Sequence, residues 1–108
     1  MRMLLKVSIP NESGNAAITA GTLGVTIGRI LDDLKPEAAY FAEDNGVRTG
    51  YIFFDMKESS DLPAIAEPWF LAFNASLTDR PAMNIQDLAA SAPGMASAVQ
   101  KYVKAASA

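Results

Sequence analysis

Apolar and polar residues alternate at the start of the chain. Met3, Leu5, Val7 and Ile9 fall on one side of a period-two pattern and Leu4, Lys6 and Ser8 on the other, which predicts a strand from Met3 to Ile9. Pro10 to Asn15 is a cluster of turn and cap formers and reads as a connection. Leu23, Ile27, Ile30, Leu31 and Leu34 then recur at helical spacing, predicting a first helix that ends before Pro36. Glu37 to Glu43 and Arg48 to Met56 are short runs rich in aromatic and apolar residues. The Asn45-Gly46 pair between them favours a tight reversal, so they read as a β-hairpin.

Ser59, Ser60 and Asp61 offer capping oxygens, and Leu62, Ile65, Ala66, Trp69, Phe70 and Phe73 follow at helical spacing. This second helix is expected to kink at Pro68, which has no N–H to donate. Ala75 to Met83 predicts a fourth strand, where Pro81 suits an edge. Asn84 caps a further helix with Asp87 in its first turn, and Ala92-Pro93-Gly94 should bend it. Met95, Val99, Tyr102 and Val103 continue an apolar stripe, and Ala105 to Ala108 is expected to fray.

Strand, helix, hairpin, helix, strand is the βαββαβ order of an α+β, ferredoxin-like domain with a four-stranded antiparallel sheet and both helices on one face. At 108 residues the chain reads as a single domain, with its core in 1–90 and a helical extension over 84–105. The other sheet face should be polar in such a domain. Tyr40, Tyr51 and Phe53 make it too apolar to meet water, so a second copy of the sheet or the C-terminal helix is expected to cover it.

Charge and composition narrow the partners. Nine basic residues against twelve acidic ones, with no basic run, argue against nucleic acid. No stretch approaches the length of a membrane span, and Lys6 and Ser8 interrupt the apolar start before an export signal core can form, so a soluble cytoplasmic protein is expected. Without Cys or His there is no thiolate chemistry, no histidine base and no usual zinc site, and neither metal nor cofactor is expected.

Glu67, Phe70 and Asn74 fall at i, i+3 and i+7 and would form one polar-rimmed aromatic wall, in which a partly desolvated Glu67 suits proton transfer. Solvated and capping roles are the plainer alternatives for Glu67 and Asn74. Gly24 and Gly28 flank the stripe of the first helix and imply either close packing or a notch that admits a ligand. Tyr40 and Tyr51 bring hydroxyls to one face, near Asp55 and Lys6, and Arg29, Arg48 and Arg80 are possible carboxylate partners.

The element order, the length, the aromatic hairpin of Tyr40-Phe41 and Tyr51-Ile52-Phe53-Phe54, and the run Pro68-Trp69-Phe70 together resemble the dimeric α+β barrel superfamily over residues 1–90. That resemblance implies a homodimer in which two sheets pair into a barrel. Its members include cofactor-free monooxygenases, muconolactone-type isomerases, haem-handling enzymes and ligand-binding regulator domains, and the lack of His excludes histidine-ligated haem here. In the cofactor-free monooxygenases Asn, Trp and Tyr side chains hold a phenolic substrate, and Asn74, Trp69 and Tyr51 match these by type.

Three functions follow as expectations. The first is a homodimer that binds a small apolar or aromatic molecule between sheet and helices, through Trp69, Phe70, Asn74, Gly24 and Gly28. The second is a cofactor-free oxygenase or isomerase that moves a proton through Glu67 or Tyr51. The third is an interaction module whose dimer surface is its function.

Overall fold

The computed structural model describes residues 1–104. The tail Ala105 to Ala108, and with it the last residue of the predicted 84–105 extension, lies outside the described residues. The elements run β1 (Arg2–Ile9), α1 (Asn11–Ala20), α2 (Leu23–Leu34), β2 (Ala38–Asp44), β3 (Val47–Asp55), α3 (Leu62–Phe73), β4 (Ser76–Pro81), α4 (Ile85–Ala90) and α5 (Ala92–Ala98), the last continued by a wider helical turn over Val99–Lys104. The protein is α+β, and its four strands form one open antiparallel sheet in the order β2-β3-β1-β4. This order is compatible with a ferredoxin-like arrangement.

The hairpin forms as its turn residues dictate. Asn45 and Gly46 both hold positive φ, 53° and 76°, which a two-residue reversal with the native strand twist requires. The Glu43 carboxylate accepts from the Gly46 N–H at 2.8 Å. β4 is an edge strand and Pro81 is its last residue, so the missing donor disturbs no central ladder.

The core lies between the sheet and the helices. Leu5, Val7, Ile52 and Phe54 from the central strands meet Ile30 of α2 and Trp69 and Phe73 of α3. The alternation of β1 is realised in full, since Met3, Leu5, Val7 and Ile9 are all buried. α3 runs without interruption through Pro68.

Two expectations are corrected and one is met. Pro10 to Asn15 is not a loop: Asn11 opens α1, an additional helix held to the body by Ser13 Oγ, which donates to the Phe73 carbonyl. Of the capping oxygens expected at Ser59, Ser60 and Asp61, that of Asp61 serves the turn ahead of α3, where its carboxylate accepts from the Glu58 N–H at 3.2 Å. The second sheet face is mixed rather than uniformly apolar, because β1 and β4 interleave Lys6, Thr78 and Arg80 with Leu4, Tyr51 and Phe53.

The C-terminal segment does not fold back over that face. It is tied to the sheet at its root, where the Ala82 N–H donates to the Arg2 carbonyl at 3.1 Å and the Arg2 guanidinium reaches Asp87 at 3.4 Å. Beyond that point Leu88, Met95, Val99, Tyr102 and Val103 are all exposed. The molecule measures 65 × 29 × 23 Å with a radius of gyration of 18.5 Å, against about 13 Å for a compact domain of this length.

Candidate functional site

β4 places one carboxylate where the core pattern calls for an apolar side chain. Leu77 and Asp79 share the parity that faces the helices, and Asp79 pairs across the ladder with Leu5, which is 1% exposed. α3 supplies the opposing wall through Leu62, Ile65, Ala66 and Phe70. Between them lies an open cleft of about 350 Å³. Asp79 is half-buried, and its Oδ1 has no hydrogen-bond partner among the described residues. Burial alone pushes this carboxyl above the usual aspartate range, because removing solvent penalises the charged form.

An apolar cleft with one unpartnered carboxyl has a defined chemistry. The ionised group accepts a hydrogen bond from a hydroxyl, an amide N–H or an amine, and the neutral group donates one. Each such partner offsets the desolvation cost of the carboxyl.

The predicted residues are distributed around this centre. Phe70 lines the cleft and is 43% exposed, and Glu67 lies exposed on its rim. Glu67 therefore lacks the desolvated surroundings expected of a proton-transfer base, and Asp79 has them instead. Trp69 is wholly buried, its ring 6.3 Å from that of Phe73, and its Nε1 finds no partner. Asn74 is the left-handed residue that ends α3, its N–H donating to the Phe70 carbonyl at 2.9 Å, and it faces a different surface beside Pro10 and Ser13.

Gly24 and Gly28 are exposed, with nothing within 4 Å of where a Cβ would stand. Neither packs closely against another part of the chain. Their neighbours Leu23 and Ile27 border a second apolar groove of about 340 Å³ with Ile9, Phe41 and Thr49, between α2 and the β2–β3 side of the sheet. A third cleft, of about 440 Å³, lies between Ile30 and Leu34 of α2 and Ile65 and Pro68 of α3, with Asp33 and Asp61 at its rim.

Tyr51 lies on the opposite side of the sheet from Glu67. There Lys6 Nζ sits 2.5 Å from Asp44 Oδ2, and the Tyr51 hydroxyl is 3.5 Å from the same oxygen. The hydrogen bond and the charge of each partner hold Lys6 above and Asp44 below their usual ranges. Asp55, on the same face, is engaged by the N-terminal ammonium at 2.6 Å. Arg48 Nη1 donates to Asn15 Oδ1 at 3.0 Å under α1, Arg80 points to the open face and Arg29 belongs to α2, so the three arginines form no cluster.

Asp79 was missed by the sequence reading, although it carries a signal. A carboxylate two residues from Leu77 in a strand, on the same parity, is a charge on the core face. Among the described residues no group of three or more acidic side chains is placed to hold a metal ion, and no helix is long and apolar enough to cross a membrane. No protein-family model and no curated protein matches the chain.

Proposed function

We propose that the chain is a cytoplasmic homodimer of the dimeric α+β barrel kind that binds a small apolar or aromatic molecule carrying a hydrogen-bond donor, in the cleft between α3 and β4. The observation that carries this reading is the unpartnered Oδ1 of Asp79 at the wall of a cleft whose apolar lining includes Leu5, Leu62, Ile65, Phe70 and Leu77, with the exposed Glu67 at its rim. The volume lies within the range of roughly 300–1,000 Å³ that suits small ligands. The element order and the unpaired sheet face bearing Tyr40, which is 67% exposed, support the dimer.

A second reading is proton transfer, as in an isomerase, with Asp79 as the base. It is supported by the raised carboxyl, since a base tuned upward towards neutral pH is the more effective one. Binding comes first in either case.

Amide chemical shifts of the full chain, titrated with benzylamine, phenol, toluene and benzoate, test the proposal. Benzylamine and phenol are expected to move residues 62–70 and 77–79, toluene less, and benzoate not at all. Asp79→Leu should abolish the response while the fold persists. Equal responses to all four probes, or none at these residues, would overturn it.

A further inference from the structure

The segment from Met83 to Lys104 carries an apolar stripe that is left largely exposed. Ile85 and Leu88 lie three residues apart, and Met95, Val99, Tyr102 and Val103 continue at helical spacing, with exposures from 45% to 75%. Helical stripes of this kind exist to be buried. α4 has six residues, and α5 with its continuation over Val99–Lys104 only reaches the roughly 12–15 residues at which an isolated helix is marginal in water. Persistence of the arm therefore needs a surface to pack on.

Two quantities on the molecule point to what that surface is. The accessible surface is 7297 Å², whereas size scaling gives about 5,800 Å² for a compact monomer of 11.5 kDa. The excess is about 1,500 Å² by that scaling, more than the roughly 800 Å² that each partner gives up in a standard interface. Exposure of that size matches one protomer of an assembly.

The arm also starts in the right place. It leaves β4 at the rim of the open sheet face, fixed there by the Ala82–Arg2 hydrogen bond and the Arg2–Asp87 pair. A copy seated on the open face would lie directly beyond that rim. In a twofold pair each chain offers one arm and one face, so both surfaces are satisfied on both copies and the assembly closes.

We infer that residues 83–104 are an exchanged arm that packs on a second copy of this chain. The inference rests on the homodimer reading above, and on nothing in the Asp79 cleft.

Sedimentation combined with intermolecular relaxation tests it on the full chain. The chain has no Cys, so Gln100→Cys can carry a single nitroxide in an unlabelled copy mixed with ¹⁵N-labelled wild type. Amides of residues 1–81 in the labelled copy should broaden, and Val99→Glu with Tyr102→Glu should weaken self-association at least tenfold. Absence of intermolecular broadening overturns the arm. If Tyr40→Glu dissociates the dimer and the arm variant does not, the sheet-face dimer stands and the exchanged arm falls. A monomer at all accessible concentrations removes both.

Discussion

Asp79 and Leu5 face each other across the β1–β4 ladder, and both point into the layer between sheet and helices. Leu5 is buried there, while Asp79 is half-buried with one oxygen unpartnered. A carboxylate in that register position opposes folding.

Replacing Asp79 by Leu should therefore stabilise the free protein, by about 1 kcal/mol at neutral pH, since it removes a desolvated charge and adds apolar contact to Leu5 and Leu77. The folded-state carboxyl is raised, so the folded form holds its proton to higher pH than the unfolded form does. The penalty is absent below the ordinary aspartate value of about 3.9 and grows as pH rises through the folded value. Urea denaturation of wild type and variant should diverge upward from about pH 4 by that argument. Parallel curves would mean that Asp79 is solvated.

The Lys6–Asp44 pair predicts the opposite trend. Asp44 is held low, so its contribution is present above the ordinary aspartate range and is lost as pH falls through the depressed folded value. Lys6 is held high, so its share persists through neutral pH and is lost only as pH rises through the raised folded value. Asp44→Asn should lower the Tm slightly at neutral pH, with the difference vanishing in acid and shrinking in high salt. Thermal melts at two pH values and two ionic strengths check this.

The parts of the fold that were legible are those set by local chemistry. The alternation in β1, the Asn45-Gly46 reversal and the stripe of α3 each follow from spacing and backbone preference. α1 was not legible, because Asn-Glu-Ser-Gly-Asn has the composition of a turn and its helix is secured by a contact from Ser13 to Phe73, sixty residues away. Asp79 was hidden for a related reason: a six-residue strand gives few positions from which to fix parity, and only pairing with Leu5 sets it. The apolar stripe of the arm was visible in sequence, but its direction is a tertiary property.

Gly46 tests the hairpin. At φ 76° a Cβ is strained, and Gly46→Ala should cost about 1 kcal/mol without changing the β2–β3 register. Nothing lies within 4 Å of the added methyl, so the effect is conformational rather than steric. Chemical denaturation measures the loss, and cross-strand nuclear Overhauser effects between Tyr40 and Tyr51 report the register.

Trp69 gives the sharpest test of the core. It is wholly buried and stacks obliquely on Phe73, so Trp69→Ala should cost about 3–5 kcal/mol, a large share of the total stability of a domain of this size. Trp69→Phe should cost far less, about 1 kcal/mol, because it removes a buried N–H that has no acceptor while keeping most of the ring. The offset between the two variants measures the packing of the ring, since both lack the N–H. Urea denaturation followed by circular dichroism, since both variants lose the only indole, should separate them clearly. A Trp69→Phe loss well above its expected value would mean that Nε1 is satisfied in solution, and that the ring is held by its hydrogen bond as well as by packing.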